Sequence, residues 1–372
     1  MKNKILKKLS LVLAKQYTSI GGQAVIEGVM MRSPNAFVIA VRKANGTIRL
    51  RRDQWYGLSE KLSFFKKPFF RGVLMMVEAM VNGVVSLNYS ANEAMEDELI
   101  EKAKKKGKDL KDVKQSEDID WQTYLTIGFS FIMGMGLFVF APHALTAGLA
   151  HLLDTSWDLD SFTFHAVDGS IKAMIFLLYI WLIGFMPDVK RVFQYHGAEH
   201  KSISTFESGQ DLTVENARKF TTLHPRCGTS FLFFLIFISI VLFSAIFTLL
   251  PIPTNLPKLL QHLVAICFKM VLMFPIAGIS YEVIKWAGKN PNKMVCKVVS
   301  QPGMWLQKLT TKEPDDEQLE VALASIKTAL FLEKKYNLKD SKDKILTREV
   351  IDIASLNEID DMGGELSEFL EG

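Results

Sequence analysis

Residues 231–250 read FLFFLIFISIVLFSAIFTLL, twenty residues without one charged side chain. An α-helix of about 20 residues is what a bilayer's apolar layer demands. The stretch is apolar around its whole circumference rather than along one stripe, so it reads as a span and not as an amphipathic surface helix. Three further segments carry the same signature: Tyr124–Leu153, Ile171–Pro187 and Leu259–Ile284. The fold class that follows is an α-helical polytopic membrane protein with about four transmembrane helices. A small N-terminal cytosolic β unit and a C-terminal cytosolic helical tail complete it.

Lys and Arg in the connecting loops set the orientation. The first loop, Asp154–Gly169, has no Lys or Arg and carries Asp154, Asp158, Asp160 and Asp168. The loop between the second and third spans, 188–229, holds Lys190, Arg191, Lys201, Arg218, Lys219 and Arg226, and four lysines follow the fourth span. The second loop and both termini are therefore expected in the cytoplasm. The long helix expected over Pro68–Glu98 is apolar at its start but interrupted by Arg71, Glu78, Asn82 and Asn88. As a fifth span it would turn the basic loop outward, so it is read as interfacial or re-entrant.

The 372 residues are 49% hydrophobic and 23% charged, which means apolar blocks beside charged ones. A net charge of +4 gives no indication of nucleic-acid binding. Three cysteines at irregular spacing exclude a disulfide framework. The chain divides into residues 1–67, a lysine-rich N-terminus and small β unit; 68–120, the interfacial helix and a charged linker; 121–290, the membrane helices; and 291–372, a helical tail. In the β unit, Asn45-Gly46 between two apolar runs marks a hairpin, and Gly21–Arg32 reads as one further strand. In the tail, Leu319, Leu323, Ile326 and Leu330 recur at helical spacing, and the acidic stretch from Asn357 reads as a loose tail.

The chemistry concentrates in the basic loop. His196-Gly-Ala-Glu199-His200 matches H-x-x-E-H, in which two histidines four apart on one helix grip a zinc ion and the glutamate acts as general base. His224 and Cys227, in His-Pro-Arg-Cys-Gly-Thr, have the right chemistry to complete the ligand set, and so does Glu282 near the end of the fourth span. Arg226 and Lys201 are candidates for holding developing negative charge, and Arg226 equally suits a snorkelling contact with headgroups. Lys269 lies inside the fourth span with His262 on about the same face, where an ammonium needs a partner. A divalent metal, zinc, is the expected cofactor. The expected activity is hydrolysis of a lipid-linked or membrane-protein substrate at the cytoplasmic membrane face. A non-enzymatic membrane scaffold that binds other proteins is the alternative, and a transporter is disfavoured by the lack of an inverted repeat.

Three motifs together, Gly21–Pro34, Tyr195–Lys201 and His224–Phe231, resemble the YqhQ-like family of bacterial membrane proteins over roughly Thr18 to Val299. That resemblance implies a bacterial cytoplasmic membrane protein of a family of unknown function, described as predicted metal-dependent enzymes. It also implies one shared constellation for the three motifs, which makes Glu27 and Arg32 site candidates.

Overall fold

The computed structural model describes residues 16–17, 20–55, 64, 67–105, 121–155, 157–250, 256–289, 293–337, 349–360 and 370–371. The basic N-terminal segment and most of the linker before Trp121 lie outside the described residues. Among the described residues seven strands run in chain order: β1 (Gln16–Tyr17), β2 (Gly21–Val25), β3 (Gly28–Arg32), β4 (Ala36–Arg42), β5 (Ile48–Gln54), β6 (Glu349–Ile353) and β7 (Leu370–Glu371). β2 to β6 form one antiparallel sheet in sequence order, while β1 pairs with β7.

The stretch expected as a single strand is two. Val25 pairs with Gly28, so Ile26 and Glu27 alone make the turn between β2 and β3. Glu27 holds φ 51°, a left-handed conformation that side chains other than glycine seldom adopt. Gly28 follows because β4 is too close for anything larger: a Cβ there would stand 2.0 Å from the Ala40 carbonyl oxygen. The Asn45-Gly46 turn forms as expected, with Gly46 at φ 87°.

Helices follow as α1 (Phe70–Lys105), α2 (Trp121–Met135), α3 (Ala141–Leu152), α4 (Phe162–Ile183), α5 (Pro187–Glu207), α6 (Val214–Arg218), α7 (Thr229–Leu249), α8 (Lys258–Lys289), α9 (Met294–Thr310), α10 (Asp316–Asn337) and α11 (Asn357–Asp360). A π-helical turn, Gly136–Phe140, joins α2 to α3 without a break. Among the described residues, five helices are long and apolar enough to cross a membrane: Phe70–Asp97, Tyr124–Leu152, Phe162–Ile183, Thr229–Leu249 and Lys258–Ala287. Their outward faces carry Phe129, Phe131, Ile132, Leu178, Phe237 and Val241, all exposed. Large apolar side chains on the outside are what lipid rather than water favours.

The second of the spans expected from sequence starts at Phe162, capped by Ser161, whose hydroxyl accepts the Phe164 N–H. The expected start at Ile171 is corrected accordingly, and Asp168 belongs to the interior of this helix rather than to a loop. His165 and Asp168 masked the apolar character of its first turns.

Both faces of the sheet are covered. Val29, Met31, Val38, Ala40, Ile48 and Leu50 point to a core shared with α5 and α10, which includes Tyr195, Phe206, Leu323 and Ile326. Val25, Met30, Phe37, Ile39 and Val41 point the other way, with Tyr89 of α1 packed on them. This alternation, buried on both sides, accounts for the unbroken apolar run in β4. The end of the chain thus builds the same domain as the beginning. α10 lies across the sheet, and β6 adds its fifth strand through pairs such as Leu50 with Ile351. Glu333 fixes this union: its carboxylate accepts from the Ser33 hydroxyl at 2.5 Å, the Asn35 N–H at 2.8 Å and the Asn35 amide at 2.7 Å. Glu333→Ala leaves these donors buried without an acceptor. It is expected to destabilise the sheet domain by about 2–3 kcal/mol, read as a lower unfolding midpoint of the sheet with the apolar helices intact.

α1 serves two neighbours. Its first turn abuts α8, where a Cβ on Gly72 would meet Tyr281 and Gly278. From Glu78 onward it follows the sheet: Arg32 is 3.4 Å from Glu78, and Lys43 pairs with Glu93 at 2.7 Å and Asp97 at 2.9 Å. Glu78, Asn82, Ser86 and Ser90 are buried at four-residue spacing along this contact.

Candidate metal centre

α5 presents the histidine pair. Pro187 at its first turn and Asp188 behind it favour a helix start there. Helical spacing then stacks His196 over His200, with ring centroids 4.4 Å apart. The chain leaves α5, turns through α6, which Thr213 caps, and returns to the same place at His224–Gly228 before entering α7. One donor atom each from His196, His200 and Cys227 lies within 4.8 Å of the others. His196 Nε2 stands 3.3 Å from Cys227 Sγ. Tetrahedral zinc, with ligands at about 2.1–2.3 Å, separates its donors by roughly 3.5 Å.

Both rings are held by their other nitrogen. His196 Nδ1 donates to the Thr310 carbonyl at 2.9 Å, and His200 Nδ1 donates to the Thr222 carbonyl at 2.6 Å. An Nδ1–H bound to a carbonyl leaves Nε2 as a lone pair, the usual outer-shell arrangement behind a metal-binding histidine. His200 is 1% exposed, and its Nε2 has no hydrogen-bond partner among the described residues. A buried lone pair without a partner is costly unless something fills the space before it. Cys227 Sγ sits at the start of α7, with the Thr229 N–H at 3.4 Å and the Thr229 hydroxyl at 3.2 Å. The donor set therefore fits a thiophilic divalent ion.

Glu199 Oε2 is 3.9 Å from His196 Nε2. Burial pushes its carboxyl up from the ordinary range, opposed by His196, His224 and a hydrogen bond from the Gly22 N–H. Gly22 is where the first motif reaches the site: a Cβ there would lie 2.8 Å from the Glu199 side chain. The motif's charged residues go elsewhere. Glu27 binds Arg191 through both oxygens, with the Tyr195 hydroxyl at 3.4 Å. Arg32 lies 4.4 Å from the Trp55 ring centre, close to Glu78.

The other sequence candidates divide. His224 is a neighbour, its ring 5.7 Å from that of His200, but its nitrogens are engaged. Nε2 faces Glu207 at 3.4 Å and Nδ1 accepts the Arg226 N–H at 3.4 Å. Burial lowers the pKa of His224 and that of Arg226. Gln307 of α9 holds the His224 backbone on both sides, at 2.8 and 2.9 Å. Arg226 pairs with Glu207 and is half exposed. Lys201 points away from the histidines, to Glu313 and the Arg218 carbonyl. Glu282 is held by Arg71 at 2.6 Å and the Phe69 N–H at 3.2 Å, not by the histidines. Lys269 belongs to a separate cluster between the apolar helices.

Sequence reasoning did not find Thr222, Thr310, Gln307 or Gly22. The first two act through backbone carbonyls, which leave no mark on residue type. Gly197, inside the motif, carries a signal: a Cβ there would stand 2.1 Å from the Lys312 carbonyl oxygen.

Fold and site define a class: a sheet domain joined to helices long and apolar enough to cross a membrane, with a histidine–cysteine cluster where the two meet. A family model described as a protein of unknown function (DUF1385) matches residues 67–331. A similar protein, the uncharacterized protein YqhQ of Bacillus subtilis (strain 168), is 36% identical over 324 residues, 84% of this chain and 92% of the relative. The chain belongs to this YqhQ-like family. No solved structure matches. The family match takes in the second and third motifs, α9 and most of α10, but not the β2–β3 hairpin.

Proposed function

We propose that the protein is a metal-dependent hydrolase of the bacterial cytoplasmic membrane, with zinc held by His196, His200 and Cys227. The convergence of these three donors, with the Nε2 of His200 buried and without a partner, carries the reading. Three protein ligands leave a fourth position open, the arrangement of catalytic rather than structural zinc. Zinc bound there supplies Lewis acidity toward a carbonyl or phosphoryl oxygen. Glu199 accepts the proton of the attacking water on Oε2, and the Gly22 N–H orients its carboxylate. Arg226, held at the rim by Glu207, balances negative charge that develops on the substrate. Lys201, spent on Glu313, takes no part.

The topology belongs to the same proposal. Four helices cross, and the centre faces the cytoplasm together with both termini. In support, Lys190, Arg191, Arg218, Lys219 and Arg226 crowd the centre's end of the bundle, while Asp154, Asp158 and Asp160 lie at the other. α1 is the helix that does not cross, since from Glu78 onward it is paired with the sheet. A site at this level takes a lipid-linked or membrane-protein substrate.

Metal analysis of the purified full-length protein tests the centre. About one zinc per chain is expected, lost in the His196→Ala/His200→Ala variant while the sheet domain stays folded. Equally negligible metal in both proteins sinks the proposal.

A further inference from the structure

At the end of the bundle opposite the metal centre, three apolar helices bring ionisable groups together. α7 runs from the centre at Thr229 to Leu249. Near that far end its Thr248 hydroxyl donates to the Asp160 carbonyl, just before α4, and α8 begins soon after. Lys269 of α8 donates to Asp168 Oδ2 of α4 at 2.6 Å, with both side chains at most 5% exposed. The same ammonium lies 3.4 Å from His143 Nδ1 of α3. His143 Nε2 lies 2.8 Å from His262 Nδ1 of α8, and His262 is only half buried. Lys172 of α4 completes the group: its Nζ is 5.5 Å from the Phe243 ring centre, and Lys269 Nζ is 5.6 Å from the same ring. α7 contributes no ionisable group here, only Ser239, Phe243, Ser244 and Phe247. His165 of α4 faces the cluster with its Nε2 on the Leu159 carbonyl.

The geometry sets the direction of every hydrogen in the row. An ammonium can only donate, so His143 Nδ1 is the acceptor and its Nε2 bears the hydrogen. His262 Nδ1 must then accept, which leaves the Nε2–H of the half-buried His262 as the last hydrogen of the row. The charges do not balance: Lys269 touches Asp168, Lys172 stands one turn further along α4 over the same Phe243 ring, and the cluster holds one carboxylate for the two ammoniums. An uncompensated charge between apolar helices is expensive, and the Oδ1 of Asp168, buried without a partner among the described residues, does not relieve it.

We infer that Asp168, Lys172, Lys269, His143 and His262 form a proton-exchange site inside the membrane, opening through His262 at the end opposite the metal centre. Release is a concerted shift. Lys269 Nζ gives its proton to His143 Nδ1, His143 Nε2 gives its proton to His262 Nδ1, and His262 Nε2 gives its proton to water. Three N–H bonds break at those donors, two form on the imidazoles and one O–H forms on water. Lys269 is left as a neutral amine, and Asp168 balances Lys172. Uptake reverses each step. The surplus proton is thus the exchangeable one, and its path to water crosses part of the membrane's electric field.

A pH jump on a solid-supported membrane carrying the full-length protein reads that movement as a transient charge displacement. We expect a transient in the native protein that is lost in His262→Gln, at the half-exposed mouth. It is also lost in the Asp168→Asn/Lys269→Met double variant, which removes both pair charges together. His151→Gln, an exposed histidine in the last turn of α3, keeps it. Monodisperse elution of each variant shows that it has folded. A native transient no larger than that of protein-free membranes overturns the proposal, and so does its survival in folded His262→Gln or in the folded double variant. Equal loss in His151→Gln also overturns it, since the charge would then be moving at the surface.

Discussion

Asp168→Asn should be the most damaging single change between the apolar helices, and worse than Lys269→Met at the other end of the same ion pair. Breaking a buried pair by neutralising one partner costs about 3–5 kcal/mol, because the remaining charge stays desolvated and alone. Removing Asp168 takes the carboxylate from Lys269, which it touches at 2.6 Å, and from Lys172 one turn further along α4. Removing Lys269 leaves Asp168 with Lys172 still nearby. The expected order of thermal stability in one detergent is native, then Lys269→Met, then Asp168→Asn. The Asp168→Asn/Lys269→Met double variant should recover part of the loss, because a neutral replacement avoids the desolvation problem. Coupling of this kind is what a double-mutant cycle measures. If Lys269→Met melts at or below Asp168→Asn, the two ammoniums do not share one carboxylate, and the charge imbalance behind the proton-exchange site is gone.

The same residues show why part of the fold was legible and part was not. Residues 231–250 declare a span because nothing polar interrupts them. α4 lost its first two turns in the sequence reading because His165 and Asp168 look like a polar loop when scored alone. The partner of Asp168, Lys269, is remote in sequence, so composition in a window cannot see that this carboxylate has an ammonium beside it. The β2–β3 hairpin escaped for a related reason. Its turn is Ile26-Glu27, with no Asn-Gly, and Glu27 bonds through its carboxylate to Arg191 of α5. α10 showed one apolar stripe, Leu319 to Leu330, yet Gln318, Ser325 and Thr328 are buried as well, because the sheet lies on one side and α5 on another. β6 carries the β-branched Val350, Ile351 and Ile353, but its pairing strand β5 is remote in sequence and so short a run does not declare a strand alone. In the candidate site, helical spacing predicted the neighbouring imidazoles, and chemistry offered His224, Cys227 and Glu282 as further ligands without choosing among them. The carbonyls of Thr222 and Thr310 were invisible because any residue has one.

Gly197→Ala should disable the candidate centre without touching a ligand. The added Cβ would stand 2.1 Å from the Lys312 carbonyl oxygen and 3.1 Å from Thr222 Cγ2. The first contact is with backbone, which has no rotamer to change, and Lys312 N–H is itself tied to the Phe193 carbonyl at 2.9 Å. To restore van der Waals distance, the 310–312 segment has to move off α5 by about 1 Å. That segment carries the Thr310 carbonyl that orients His196, and Thr222 supplies the carbonyl that orients His200. One methyl group therefore disturbs the outer partner of both histidines. Loss of such partners typically weakens metal binding about 10- to 100-fold, and overpacking of this kind costs roughly 1–3 kcal/mol of stability. Alanine's better helix propensity returns at most about 1 kcal/mol. Gly134→Ala, with nothing within 4 Å of its Cβ, has that gain without the clash and serves as the matched control. Zinc titration and thermal unfolding should separate the two variants, with Gly197→Ala weaker on both measures and Gly134→Ala equal to the native protein or better. A Gly197→Ala protein with native stability would show that α5 and the 310–312 segment are not in close contact. Native stability lost with zinc affinity kept would show that the two carbonyls do not hold the imidazoles in place.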